Sequence, residues 1–391
     1  MKSSYRGVLT LIRSAITGEK AVLPEDFDPE EAFALMAEHQ LLSIGYAGAL
    51  GCGLPKDSET VKKFFAGYCR STMHSQAQLG AVRKLFEAFD RAEIAYLPVK
   101  GVNLKALYPV PEYRVMGDAD ILIRTEQYDR IRSIMEALGY GGEREAGNVM
   151  VWTSRDLHVE LHKSLMPPEF KAFARRYGTG WPLATQCRGT HYSMTPEDEF
   201  LFVFIHFAKH YQQGGIGLRQ ILDLWICRRA HPDLDQAHIC QALEDLGLLE
   251  FYRNVLDVLE VWFGDGEENE KTELITDYIM TSGSWGSEKA GCLSVAAGES
   301  QRTRSDGKGR RRWIVRIFFP EPEAMKNRYP RLARHPVLLP AFWVWRWVEV
   351  LRDHPGNIRS KLTLAGTVSD EEVSAFRRAM NAVGLSLLEE E

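Results

Sequence analysis

The chain has 391 residues, of which 45% are hydrophobic and 26% charged, and its formal net charge is −5. This length can bury a large core and form two or three domains. The negative net charge argues against a protein that coats nucleic acid or an anionic membrane through its overall field. The longest apolar run, residues 336–350, is interrupted by Arg346 and is shorter than the roughly 20 residues that a membrane-spanning helix needs, so no transmembrane segment or membrane partner is expected.

The six cysteines lie far apart in the sequence and form no C-x-x-C pair. Residues 1–20 carry charges inside their apolar stretch, unlike a secretory leader. We therefore expect reduced thiols and a cytoplasmic location.

The first part of the chain is predicted to alternate between helical and mixed regions. Residues 1–93 read as a helical N-terminal arm, with a helix start at Asp28-Pro29 and one or two long helices over 58–93. In residues 94–165, strand-like and helical segments are interleaved. That alternation predicts a small mixed α/β core with helices packed on one sheet.

From residue 166 onward the sequence is predicted to be helical. Residues 166–280 form a helical domain and residues 310–391 supply C-terminal helices. Between them, residues 281–309 are rich in Gly, Ser and charge and are expected to form a mobile loop. The predicted fold class is α+β, a small mixed-sheet domain with a large helical domain.

Two carboxylates, Asp118 and Asp120, begin the apolar strand of residues 118–123. Alternation puts both acids on one face of the strand and Ala119 and Ile121 on the other. At about 4 Å and an effective dielectric of about 20, two such charges repel by roughly 4 kcal/mol, so the pair needs a shared proton or a cation. A hard divalent ion such as Mg²⁺ suits oxygen ligands of this kind.

A third acid, Glu160, lies on a later strand-like segment between His158 and His162. If that strand neighbours the first, Glu160 completes a group of three carboxylates that could hold two Mg²⁺ ions together with nucleotide phosphates. The alternative is an exposed acidic strand edge, because D-x-D is frequent by chance. We expect His162 to serve the acids as a hydrogen-bond partner rather than as a ligand of a transition metal.

Four short motifs resemble one known family. They are K-G-x-x-L from Lys100, L-Y-x-x-P from Leu107, R-x-M-G-D-x-D-I-L from Arg114 and E-L-H from Glu160. Together they resemble the uncharacterised nucleotidyltransferase family of the DNA polymerase beta-like superfamily, over about residues 30 to 350. The resemblance implies a mixed sheet carrying the three acids, and transfer of a nucleoside monophosphate from an NTP donor to an acceptor.

The resemblance also implies roles for residues. It makes Asp118, Asp120 and Glu160 the catalytic and metal-binding acids. Lys100-Gly101 stands where the wider superfamily has Gly-Ser, and both residues are assigned to the NTP phosphates: glycine lets the backbone approach closely, and lysine adds a point charge.

Three cationic residues are further candidates. Arg114 is expected either to pair with a carboxylate or to contact phosphate, the alternative being a surface arginine. Lys209 and Arg219, in the helical half, are assigned to NTP contacts, with a structural role as the alternative. Arg219 lies one helical turn from Asp223 and could simply pair with it.

The predicted function is therefore Mg²⁺-dependent transfer of an NMP from an NTP to a hydroxyl of a small-molecule, protein or RNA acceptor. One alternative is an NTP-binding or partner-binding module with weak turnover. Another is an RNA-directed transferase or toxin that uses the basic residues between 302 and 312, although a solvated loop is the favoured interpretation of that run. Nucleic acid is thus not the favoured partner, and the sequence does not specify the oligomeric state.

Overall fold

The computed structural model describes residues 1–166, 171–284, 286, 288–303, 312, 315–316, 318–329, 331–353 and 368–385. The chain divides into two compact units. Met1–Ala208 and Ile216–Ser284 belong to the first, and Lys209–Gly215 and Trp285–Glu389 belong to the second. The fold class is α+β, as predicted.

Four helices precede the sheet in the first unit: α1 Ser3–Thr17, α2 Pro29–Glu38, α3 Leu42–Gly51 and α4 Glu59–Arg91. The Asp28 side chain caps α2 by accepting from the backbone N–H groups of Glu30 and Glu31. The long segment predicted as one helix or two is a single helix, α4, of 33 residues. Such a helix is long enough to pack on the N-terminal helices at one end and on the sheet at the other.

The sheet is mixed and has seven strands, in the order β3-β4-β5-β2-β1-β7-β6. Two neighbouring pairs, β2 with β5 and β1 with β7, are parallel, and the other pairs are antiparallel. The strands are β1 Tyr96–Val99, β2 Ala119–Ile123, β3 Gly141–Ala146, β4 Val149–Thr153, β5 His158–His162, β6 Thr185–Arg188 and β7 His191–Ser193. The helices between them are α5 Gly101–Leu107, α6 Tyr128–Ala137 and α7 Lys171–Tyr177.

One face of this sheet is buried beneath α4 and α6. The core on that side contains alternate residues of the central strands together with apolar residues of the two helices: Ala119, Ile121, Ile123, Val159, Leu161, Val82, Leu85, Phe89, Ile131 and Met135. Because strand side chains alternate, Asp120 and Glu160 project from the opposite face. The hydrophobic core thus fixes which way the acids point.

The expectation that the chain stays helical after residue 166 is wrong. Strands β6 and β7 form a hairpin, and β7 pairs in parallel with β1, so the sheet continues beyond the predicted core. The two strands have only four and three residues, and none of their residues is buried. A strand so short and exposed shows no apolar alternation that a sequence pattern could detect.

Helices make up the rest of the first unit, and α8 runs on into the second. They are α8 Pro196–Gln213, α9 Leu218–Ala230, α10 Gln236–Asp245, α11 Leu249–Phe263 and α12 Glu270–Ser282. Among the described residues of the second unit, the helices are α13 Glu288–Thr303, Pro322–Arg328, Arg331–Arg334, Leu339–Asp353 and Asp370–Ala382. Within the described residues, no helix combines the length and apolarity needed to cross a bilayer.

The mobile loop expected over 281–309 is also wrong for its central part. Residues 288–303 form α13, in which Ala296 and Ala297 are fully buried. Packing of this small apolar face outweighs the low helix propensity of Gly291 and Gly298, which masked the helix in the sequence. Residues 304–311 of the predicted loop and basic run lie outside the described residues.

A buried histidine, His39, joins three helices of the first unit. Its Nδ1 accepts from the backbone N–H of Leu218 at 3.1 Å, and its Nε2 lies 3.2 Å from the carbonyl oxygen of Met280. An Nδ1 that accepts and an Nε2 that donates define the neutral Nε2–H tautomer. Burial lowers the pKa of His39 below its ordinary value.

We expect this histidine to make stability fall in weak acid. Below about pH 6.5 the unfolded chain binds a proton that the folded chain does not, so the free energy of unfolding decreases as pH falls, by at most about 1.4 kcal/mol per pH unit for one group. The loss stops below the folded-state pKa. Urea unfolding between pH 7.5 and 5 should show a shallower slope for His39→Gln than for wild type. The exposed His238→Gln is the control, and an equal slope in all three proteins contradicts the assignment.

Candidate active site

The parallel pairing of β2 and β5 brings the predicted acids together. Asp120 lies directly opposite Glu160 in the register, and Asp118 is one residue before β2 begins. On the other side of β2, Val99 at the end of β1 lies opposite Asp120. The Lys100-Gly101 turn, which directly follows β1, therefore lies beside Asp120.

Asp120 is the buried centre of the group. Its Oδ1 accepts from Nζ of Lys100 at 2.7 Å and lies 2.8 Å from Nε2 of His162. Burial by itself raises the pKa of Asp120, but the Lys100 ammonium and the His162 hydrogen bond together hold it well below its usual range. For His162, burial by itself lowers the pKa, but the hydrogen bonds to Asp120 and Glu160 outweigh this effect and raise the pKa above its ordinary value. The expected support of the acids by His162 is present.

Asp120, Glu160 and His162 each offer one ligand atom, and these atoms lie within 4.8 Å of one another, so the group could hold a metal ion. Nε2 of His162 is also 3.6 Å from Oε2 of Glu160. We interpret this nitrogen as the donor in the hydrogen bond to Asp120. A nitrogen that donates its N–H has no lone pair left for a metal, so His162 is then not a metal ligand. The carboxylates are then the oxygen donors that a hard cation prefers.

Asp118 is not part of this tight group among the described residues. Burial, followed by the nearby charges of Asp120 and Glu160, raises the pKa of Asp118 to about 6. A carboxyl group in this position gains most from a cation, because the cation removes the repulsion that opposes its ionisation.

Lys100 and Gly101 occupy a backbone position with special requirements. Lys100 has φ +52° and ψ −115°, a left-handed conformation that non-glycine residues rarely adopt and that often marks functional sites. The Nζ of Lys100 donates to Oδ1 of Asp120 and lies 5.8 Å from the ring centroid of Phe202. A Cβ added to Gly101 would come within 2.9 Å of Cγ of Met116, so this close packing accepts only glycine without a shift.

The segment that leads into Asp118 is held by three buried side chains. The carbonyl oxygens of residues 114, 115 and 116 each accept one hydrogen bond. The donors come from three different helices: Lys105 Nζ at 2.5 Å, Arg219 Nη1 at 2.9 Å and Gln78 Nε2 at 2.9 Å, respectively. These three hydrogen bonds fix the backbone just before Asp118, and they therefore fix the position of Asp118 relative to the other acids.

Arg114 pairs with a carboxylate, but not with one of the three acids. Its Nε and Nη2 donate to the two oxygens of Asp223 at 2.8 and 2.9 Å, and the Tyr108 hydroxyl donates to the same Oδ1 at 2.8 Å. Arg114 is 7% exposed, which excludes the interpretation as a surface arginine. Burial and the Asp223 charge raise the pKa of Tyr108 well above its ordinary value, so its hydroxyl stays a donor.

Charges around the acids are evenly matched. Burial, followed by the charge of Arg114, lowers the pKa of Lys105 to about 8, and burial, again followed by Arg114, lowers that of Arg219. The four acids are Asp118, Asp120, Glu160 and Asp223, and the four cationic side chains are Lys100, Lys105, Arg114 and Arg219. Acidic and cationic side chains are thus equal in number in this group of eight residues.

Two remaining predictions concern the second unit. Lys209 belongs to that unit, and its contact with NTP stays a prediction. In the part of the basic run that the structure describes, Nε of Arg312 is 3.1 Å from Oε2 of the buried Glu299.

A comparison with protein families gives a match over much of the chain. A family model described as an uncharacterised nucleotidyltransferase matches residues 25–264, which is more than half of the chain. The chain belongs to this family. The resemblance seen in the motifs is thereby confirmed, as is the expectation of an NTP-dependent transferase. Comparisons with curated proteins and with solved structures give no match.

Sequence reasoning missed several residues that position the site of this nucleotidyltransferase. Lys105 and Tyr108 lie within or beside the quoted motifs but were given no role, and Gln78 lies on α4, far from them in sequence. A signal was present for Gln78, since it interrupts the apolar stripe of α4 three residues after Ser75. A polar residue on a buried helix face needs a partner, which here is the Met116 carbonyl.

Proposed function

We propose that this protein transfers a nucleoside monophosphate from an NTP to a hydroxyl group of an acceptor, with Mg²⁺ as the cofactor. The observation that carries the proposal is the register of β2 and β5, which sets Asp120 opposite Glu160 with Asp118 at the head of the same strand. Three carboxylates on or just before two neighbouring inner strands of the sheet, beside a strained Lys-Gly turn, suit metal-assisted phosphoryl chemistry.

Asp118, Asp120 and Glu160 would hold the metal, because carboxylate oxygens fit Mg²⁺ better than the nitrogen of His162 does. When bound, two Mg²⁺ ions would neutralise the phosphate charge and favour the ionised form of the attacking hydroxyl. The Glu160 side chain is 32% exposed, against 4% for Asp120, so we assign it to accept the proton of the acceptor hydroxyl.

Lys100, with Gly101, is our candidate for the triphosphate. Its Nζ is held by Asp120 in this structure, and a cation on that carboxylate would release the ammonium toward the phosphates. Arg219 and Lys209 are proposed as further phosphate contacts. Arg114 uses two of its donors on Asp223, so we assign it to positioning the segment before Asp118.

The charge balance of the site supports uptake of metal and nucleotide together. Four acids already face four cationic groups, so added Mg²⁺ alone would leave excess positive charge. The four positive charges of two Mg²⁺ ions match the four negative charges of an ionised NTP.

All six cysteines are free thiols, which fits the reducing cytoplasm that we propose as the location.

The test follows the label of the donor nucleotide. Each of the four NTPs, labelled at the α-phosphate or at the γ-phosphate, is incubated with the protein, Mg²⁺ and separate small-molecule, protein and RNA fractions. We expect the α-label to enter an acceptor and the γ-label to leave as pyrophosphate. Glu160→Gln should lose transfer, whereas Glu136→Gln, an exposed acid on α6, should keep it. Transfer of the γ-label, or equal transfer by both variants, contradicts the proposal.

The second candidate is a module that binds Mg·NTP with little turnover. The ion pair between the Lys100 ammonium and Asp120 favours this candidate, because a catalytic metal would have to compete with the ammonium for that carboxylate. Calorimetry that shows tight Mg·NTP binding, with no pyrophosphate released for any acceptor fraction, would select this candidate over the transferase.

A further inference from the structure

The middle of α4 has a polar face where a buried helix normally has an apolar one. At one end of the helix Val61 and Phe64 are buried, and at the other end Leu85 and Phe89 pack in the core beneath the sheet. Between them the same face carries Ser71, Ser75 and Gln78, spaced by four and three residues. This spacing places all three side chains along one line of the helix surface.

These side chains line a cleft of about 190 Å³ together with Arg70, His74 and Val115. Ser75 is 3% exposed and Gln78 is 1% exposed. Among the described residues, neither Oγ of Ser75 nor Oε1 of Gln78 has a hydrogen-bond partner. Buried polar atoms without partners are costly and uncommon in native proteins. Because Ser75 and Gln78 also line the cleft, an occupant there would supply their missing partners.

The lining residues define what that occupant must offer. The Gln78 oxygen can only accept, so it requires a hydroxyl or N–H donor, and the Ser75 hydroxyl can either donate or accept. Arg70 and His74 are exposed and supply the cationic and imidazole groups at the edge of the cleft. The lining contains no acid. A molecule with hydroxyl groups at its inner end and an anionic group at its outer end satisfies all of these side chains.

We propose that this cleft is a binding site for a small phosphorylated polyol. The inference goes beyond the proposed function, since it concerns binding and holds whether or not nucleotide transfer occurs. The site is next to the candidate active site in the chain, because Nε2 of the same Gln78 holds the carbonyl of Met116, two residues before Asp118. An occupant on the Gln78 oxygen would thus contact the side chain that positions the acids.

Glycerol 3-phosphate serves as the probe, with glycerol and inorganic phosphate as separate arms. Calorimetry and thermal unfolding of the full chain should show saturable binding of glycerol 3-phosphate and a higher Tm, with each separate arm about tenfold or more weaker. Ser75→Ala should bind the probe about tenfold or more weakly. Without ligand, its Tm should equal or exceed that of wild type, because an unpaired hydroxyl has been removed.

Ser43→Ala is the matched control. Ser43 is a buried serine on α3 whose Oγ also has no partner among the described residues, and it does not line the cleft. It should bind the probe as wild type does. The proposal is overturned by a lack of saturable binding of glycerol 3-phosphate, by unchanged binding in Ser75→Ala, or by an equal loss of binding in Ser43→Ala. Binding of phosphate alone with the full affinity of glycerol 3-phosphate also overturns it, because the polyol contacts would then contribute nothing.

Discussion

Asp120→Asn is expected to abolish nucleotide transfer, with a loss of about 10³-fold or more, and to destabilise the first unit at the same time. The activity should fall because the substitution removes the central charge of the proposed metal site. The stability falls because Lys100, whose side chain is only 14% exposed, loses its counter-charge. Removing one partner of a buried ion pair costs about 3–5 kcal/mol. Label transfer and urea unfolding of the same preparation measure the two effects.

The double variant Lys100→Met/Asp120→Asn separates the two effects. Methionine removes the unpaired ammonium and keeps most of the volume, so most of the lost stability should return. Activity should not return, because the proposed metal site is still incomplete. If the stability losses of the two single variants simply add in the double variant, then Lys100 and Asp120 are not coupled, and the ion pair does not hold this part of the site.

Arg114→Met is the second substitution with a large expected effect. It leaves the Asp223 carboxylate, which is 3% exposed, with Tyr108 as the remaining partner of the three-residue network. We expect the free energy of unfolding to fall by about 3–5 kcal/mol. Arg114→Lys should recover only part of this, because an ammonium cannot reproduce the two parallel hydrogen bonds of the guanidinium.

Two further variants test whether this loss comes from the stranded carboxylate. Tyr108→Phe removes one hydrogen bond to a charged group and should cost about 1.5–3 kcal/mol, less than Arg114→Met. Arg114→Met/Asp223→Leu removes both charges and should be more stable than Arg114→Met alone. If the double variant is the less stable of the two, the charge of Asp223 is not the source of the loss. Chemical denaturation followed by circular dichroism gives all four values.

The central strands could be predicted because their sequence carries strong alternation. Ala119, Ile121 and Ile123 share one face of β2, and that pattern alone oriented Asp120 to the other. The same reasoning on β5 oriented Glu160. Each inference used neighbouring residues only, and the placement of the two strands side by side was what the resemblance to the family implied.

Contacts between distant segments could not be predicted in this way. The Arg114–Asp223 pair joins residues 109 positions apart, and the Lys105, Arg219 and Gln78 hydrogen bonds depend on where three helices pack. Sequence spacing had placed Asp223 beside Arg219, one turn away on the same helix. Burial decides which partner a charge takes, and burial is a property of the packed fold.

Mn²⁺ binding tests the central claim most directly, since it requires no knowledge of the acceptor. Electron paramagnetic resonance would count Mn²⁺ ions bound per chain in the presence of an NTP analogue that cannot be cleaved between the α- and β-phosphates. The account predicts two bound ions for wild type and for Glu136→Gln, and loss of binding for Asp120→Asn. Equal Mn²⁺ binding by wild type and Asp120→Asn would contradict the assignment of the metal to these carboxylates.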